Sequence, residues 1–149
     1  AMARELLSYL TTKEFAYFDG EFPFLYRLAG FTKPVQPQSG PFQGDVAVLT
    51  DGACFSTTAH FCALVKYHGL ATLVGSETGG SYICTDGSKD AVLDHTKMRL
   101  HYSTRIFKTI VKGFSDQGGI QPDIPVCETI EEIVQGKDSV LDVGLVNLY

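Results

Sequence analysis

The feature that most narrows what this chain can fold into lies between residues 46 and 75. Val46-Ala-Val-Leu49 is a short continuous apolar run bounded by Asp45 and by Asp51-Gly52, the pattern of a strand buried on both faces, parallel and central in its sheet. After the turn Asp51-Gly-Ala-Cys54, the stretch from Ser56 to His68 sets Ala59, Cys62, Ala63 and Val65 near helical spacing and stops at Gly69. That predicts a helix of about three and a half turns. Leu70-Ala-Thr-Leu-Val74 reads as a second buried strand, closed by Gly75. Strand, helix and strand joined by short connections form a βαβ unit with a right-handed crossover, so the expected class is α/β.

The flanks add less regular elements. Leu6, Leu7 and Leu10 share one face of a short N-terminal helix expected to pack on a sheet, and Glu14-Phe-Ala-Tyr-Phe18 alternates like a strand. Three prolines between Gly30 and Gly44 make that stretch a surface connection. Lys97–Tyr102 and Arg105–Val111 read as two strands of a hairpin or meander, and the glycines and proline between Gly113 and Pro122 then break the sheet. Thr129 with Glu132 fits a capping box, Gly136 ends that helix, and a last helix runs from Asp138 to Leu148. Ala1-Met2-Ala3 resembles an artificial junction more than a natural start, so residues 1–149 are expected to be one unit from a longer protein.

Composition excludes several function classes. The 149 residues carry 12 Lys+Arg against 17 Asp+Glu, a formal charge of −5 spread along the chain, so no basic footprint for nucleic acid is present. No apolar run approaches the ~20 residues that cross a bilayer as a helix. Cys54, Cys62, Cys84 and Cys127 lack CxxC spacing, and His60 and His68 lack paired ligands, which leaves the cysteines as small apolar thiols in or near the core.

The chemistry starts at Ser56. It follows a buried strand and a glycine turn and opens a helix, so its hydroxyl projects at the C-terminal edge of the sheet, where open α/β sheets bind ligands. The amides opening the helix point outward, and the Thr57 amide is the natural first donor to an oxyanion formed there. Taken alone, the same position suits an ordinary N-cap serine, a role Thr57 or Thr58 could also fill.

The line Gly44-Asp-Val-Ala-Val-Leu-Thr-Asp-Gly-Ala-Cys-Phe-Ser-Thr-Thr-Ala-His-Phe61 resembles the strand, turn, nucleophile and helix of the C-terminal processing (tail-specific) protease family of serine peptidases. Leu73-Val-Gly-Ser-Glu-Thr-Gly-Gly80 and Gly119-Ile-Gln-Pro-Asp-Ile-Pro-Val126 resemble the same family in the right order, and the likeness extends over residues 44 to 149. The resemblance implies Ser56 as nucleophile. It also implies a layered core like that of ClpP and the crotonases, a polypeptide substrate cleaved through an acyl-enzyme, no metal or organic cofactor, and a cell-envelope or extracellular location.

The chain departs from the family's Ser-Lys pattern, because Ser81 stands where the lysine base would be and Lys66, Lys89 and Lys97 lie outside that motif. It is closer to the tricorn-type relatives, which use a histidine base helped by an acidic residue before the Gly-Ile-x-Pro-Asp motif. Asp116 holds that place here, and by its neighbours alone it is equally an ordinary turn residue. In those relatives the histidine and a glycine-pair motif giving the second oxyanion amide come from well upstream, and neither is found ahead of Arg4. His60 shares a helix face with Ser56 but is expected to be a surface or packing residue, and His68, His95 and His101 carry no stronger signal. These 149 residues alone are therefore expected to be inactive. A catalytically lost relative binding peptides or apolar small molecules is the competing reading, and an acyl-CoA enzyme of the crotonase type rests on fold analogy only.

Overall fold

A computed structural model describes residues 2–20, 22 and 24–148; the ends of the 1–149 unit, Ala1 and Tyr149, lie outside the described residues. The elements are α1 (Met2–Leu10), β1 (Phe18–Asp19), α2 (Phe24–Leu28), β2 (Ala47–Thr50), α3 (Thr57–Tyr67), β3 (Thr72–Gly75), β4 (Ile83–Asp86), β5 (Lys89–Val92), β6 (Arg99–Tyr102), β7 (Arg105–Thr109), β8 (Ile124–Pro125), α4 (Ile130–Val134) and α5 (Ser139–Val146). The fold is α/β.

β2, α3 and β3 form the expected unit, with Val48 opposite Leu73 and Thr50 opposite Gly75 in parallel register. β8 pairs in parallel on the other side of β3. The order β2-β3-β8 corrects one expectation: among the described residues β3 is central and β2 is an edge, with Leu49 39% exposed. Both faces of the sheet are still covered, which explains why an edge strand is written as an apolar run. Ala47 and Leu49 lie on the face that meets Gly144 of α5, whereas Val48 joins the core containing α3. Ala59, Cys62, Ala63, Leu64 and Val65 of α3 are fully buried, and each of the larger ones contributes about 1.5–3 kcal/mol by leaving water.

β1, β7 and β4 make an antiparallel sheet. The strands at 97–102 and 105–111 do form, yet not as partners: β7 pairs with β1 and β4, and β6 pairs with β5. The reason is the unbroken register. Asp86 faces Arg105 and Lys89 faces Tyr102, three residues on along one strand and three back along the other, so 83–92 and 99–109 are two sides of one long ribbon bent near Gly87. Period-two patterning marks each strand but not its partner.

Near the N-terminus, Ala3 and Leu7 are the buried residues of α1 along with Ser8, Leu6 is half exposed, and the helix packs on α3 rather than on a sheet. Of Glu14–Phe18 only Phe18 enters a ladder, while Phe15 makes a single bridge to Val35. Thr129 caps α4 in a full capping box with Glu132, and the Asp138 side chain caps α5 by accepting from the Leu141 amide. Cys62 is buried and Cys54 and Cys84 are partly buried, but Cys127 is exposed, against expectation. Among the described residues no helix is long and apolar enough to cross a membrane.

Candidate active site

Ser56 sits at the junction of the β2 turn and α3 with φ 51° and ψ −121°. Positive φ strains a residue with a Cβ, at a cost of about 1–3 kcal/mol that surrounding structure must hold in place. What holds it is visible. The Gly80 amide donates to the Cys54 carbonyl (3.0 Å), and the Cys54 and Thr58 amides close turns onto Asp51 and Phe55. A Cβ on Gly80 would lie 3.1 Å from the Ser56 nitrogen and 2.9 Å from Ala59 Cβ, so this glycine lets the backbone press against the serine turn. The Ser56 side chain makes no cap bond to the helix, which corrects the N-cap interpretation. A strained serine at a sharp strand-to-helix turn with a free hydroxyl is the geometry of a nucleophile elbow.

The Gly79-Gly80 segment is held in turn by the 119–126 stretch. Thr78, almost completely buried, accepts from the Ile120 amide (2.7 Å) and donates to the Gly80 carbonyl (2.7 Å), and its own amide donates to the Ile120 carbonyl. Glu77 accepts from the Gly119 amide (2.6 Å), which holds its carboxyl below the usual carboxylate range. Lys66 is committed elsewhere: its ammonium donates to the Gln121 carbonyl (2.7 Å) and pairs with Asp123 (2.8 Å), and Asp123 also accepts from the Leu73 amide (2.9 Å). These links bring the three motif stretches together behind Ser56.

In front of Ser56 opens a cavity of about 640 Å³ lined by Thr57, His60, Cys84, Asp86 and Arg4, and by the rings of Tyr17, Phe18, Tyr26, Phe31 and Phe107. Thr57 begins α3, and no acceptor among the described residues takes its amide, as an oxyanion donor requires. Cys84 lines the cavity with Ser56, and burial, then the nearby Asp86 carboxylate, raise its thiol above its ordinary range. His60 is 3% exposed, its Nε2 has no hydrogen-bond partner, and burial pushes its pKa down to about 4. It is a packing residue, as expected, but one that also lines the cavity.

Asp116 does not line this cavity. Its carboxylate accepts from the Tyr82 hydroxyl, a partner the sequence pattern did not indicate. Ser81 has a buried hydroxyl without a partner, and Lys89 and Lys97 lie on the β5–β6 ribbon and its turn, away from the cavity wall. The aromatic wall and Cys84 were missed because their residues come from strands whose pairing is not local. The one available signal was the concentration of Phe and Tyr between residues 15 and 31.

A strained serine over a ring-lined cavity, with a free helix-opening amide beside it, is the layout of hydrolases that work through a covalent intermediate. The chain belongs to peptidase family S41, whose model matches residues 12–126. Similar solved structures include a candidate peptidase from Parabacteroides merdae (21% identity, TM-score 0.67, 98% of this chain and 46% of that one). Mature CPAF matches with 21% identity and TM-score 0.58 over 77% of this chain and 22% of its own. The tricorn protease matches with 18% identity and TM-score 0.51 over 98% of this chain and 13% of its own. The chain thus spans less than half the length of each of these structures. No curated protein matches the sequence.

Proposed function

We propose that the complete protein is a serine endopeptidase in which Ser56 is the nucleophile. The observation that carries this reading is the strained Ser56 backbone at the mouth of the cavity, since a positive φ at a residue with a Cβ persists only where surrounding contacts impose it. Ser56 Oγ attacks the peptide carbonyl carbon and its proton passes to a base. The Thr57 amide meets the developing oxyanion, the amine leaves with a proton, and water then hydrolyses the acyl-enzyme. His60 is a poor candidate for that base, because an imidazole with a pKa near 4 has little proton affinity at neutral pH. Lys66 is already paired. The base, and the second oxyanion donor, are assigned to a segment of the complete protein outside these 149 residues, with Asp116 orienting that base through the carboxylate oxygen that Tyr82 does not use. The tail-specific substrate preference, the crotonase-like layering and an envelope or extracellular location belong to the same proposal.

A second reading, a relative that binds peptides or apolar small molecules without turnover, draws support from the ring-lined cavity. A fluorophosphonate probe separates the two. Labelling at Ser56 in the complete, folded protein is expected; absence of label would sink the peptidase reading.

A further inference from the structure

The wall of the Ser56 cavity carries a charge that the peptidase chemistry does not use. β4 and β7 pair with Cys84 opposite Phe107 and Asp86 opposite Arg105, and the alternation of strand side chains puts all four on one face of the ribbon. Cys84, Phe107 and Asp86 line the cavity together with Ser56. Asp86 is exposed at the end of β4, so its carboxylate meets both the cavity and water. One oxygen, Oδ1, accepts from the Gly87 amide (2.7 Å), and Oδ2 has no partner among the described residues. Neither nearby cation is spent on it. The Arg105 guanidinium lies over the Tyr26 ring, 5.0 Å from its centroid, and that of Arg4 donates to the carbonyls of Gly30, Lys33 and Pro34. Among the described residues no ion pair includes Asp86.

We propose that Asp86 is a specificity-determining residue that selects a lysine or arginine side chain of the polypeptide beside the scissile bond. The proposal rests on the peptidase reading only for placing that side chain next to Ser56. Cys84 and Asp86 stand two residues apart on one strand, about 6.5 Å, a span that the extended stem of a basic side chain covers. The stem then lies on the apolar wall of Cys84 and Phe107 while its charged head stays in water at the Asp86 carboxylate. An acidic side chain in the same place meets a like charge, and a neutral one of equal length gains the wall but not the ion pair. Because Asp86 is exposed, solvent screens the pair, so the selectivity is modest and depends on salt.

The test is binding of fluorescent alanine peptides with one central lysine, norleucine or glutamate to the complete protein carrying Ser56→Ala, followed by anisotropy at low and high salt. Both peptide ends are capped, which leaves the lysine head as the only ammonium. At low salt the lysine peptide is expected to bind roughly three- to fivefold tighter than the norleucine peptide and about tenfold tighter than the glutamate peptide, with both ratios shrinking at high salt. Asp86→Asn keeps the acceptor for the Gly87 amide and should bring lysine and norleucine together. Asp86→Lys should place glutamate first, an inversion that a purely structural role would not produce. Equal affinities, no binding, or a lysine preference that survives Asp86→Asn would each overturn the proposal. Binding needs no Ser56 chemistry, so the two readings fail separately. A complete protein that selects lysine yet takes no fluorophosphonate ends the peptidase reading alone, and one that is labelled without the preference ends the role of Asp86 alone.

Discussion

Gly79 and Gly52 meet backbone to backbone: a Cβ at position 79 would sit 2.1 Å from the Gly52 carbonyl oxygen and 2.3 Å from the Phe55 ring. No rotamer change relieves a clash with a carbonyl, so the turn carrying Ser56 would have to move. Gly79→Ala is expected to cost ~1–3 kcal/mol by overpacking and to reduce fluorophosphonate labelling of the complete protein. Urea unfolding and labelling rates measure the two effects. Full labelling in Gly79→Ala would show that the turn is not held by this contact.

Ser56 itself is predicted to trade stability for function. Because its hydroxyl makes no cap bond, Ser56→Ala should leave stability nearly unchanged instead of removing a cap. Ser56→Gly relaxes the φ 51° strain and should stabilise the fold by about 1 kcal/mol. Both variants of the complete protein should lose turnover. Retained peptidase activity in Ser56→Ala would remove Ser56 as nucleophile, and purified 149-residue chain should hydrolyse peptides no faster than its Ser56→Ala form.

Thr78 joins two stretches that are 42 residues apart in sequence. Thr78→Val keeps the shape but leaves the buried Ile120 amide without its acceptor, at about 1–3 kcal/mol. Slower Ser56 labelling should accompany the loss, since the same hydroxyl donates to the Gly80 carbonyl. A variant as stable as the native protein would mean that the Ile120 amide finds another partner.

The βαβ unit was legible because both of its strands and its helix are written in contiguous periodic segments ended by glycines. Gly69, with φ 61°, and the Thr129 capping box formed where local chemistry placed them. Pairing was not legible. That β7 joins β1 across about 90 residues depends on which apolar faces are left to cover, and no local pattern encodes it. The site divides in the same way. Ser56 and Thr57 could be placed from the strand–turn–helix pattern, whereas Cys84, Phe107 and the Tyr82 partner of Asp116 arrive through long-range pairing of the β4–β7 ribbon. The edge position of β2 was hidden because α5 supplies the burial that a second neighbouring strand would otherwise give.

Asp116 is expected to act through charge rather than shape. In the complete protein Asp116→Asn should lower kcat strongly with little change in KM, the pattern of an interaction made mainly in the transition state. Tyr82→Phe is the companion measurement, since it removes the hydroxyl that now donates to Asp116. An unchanged kcat in Asp116→Asn would return this residue to a structural role in the Ser115–Gly118 turn.

His60 makes stability depend on pH in a defined direction. Its ordinary value is 6.5 and burial lowers it to about 4, so between these values the unfolded chain holds a proton that the folded chain does not. Stability should therefore be unaffected by this group above pH 6.5, fall as pH drops through the window, and level off below about 4. The full effect is at most about 3 kcal/mol, and the lowered pKa of His68, also from burial, acts in the same direction. Urea midpoints taken at intervals from pH 7.5 to 4 give the slope directly. The lowered carboxyls of Glu77 and Glu132 lose their contribution at lower pH, beginning near the ordinary carboxylate value of 4.5, so the upper part of the window belongs to histidine. Replacing His60 with leucine should flatten that upper part. An identical slope in His60→Leu would mean that the imidazole is hydrated in the folded protein.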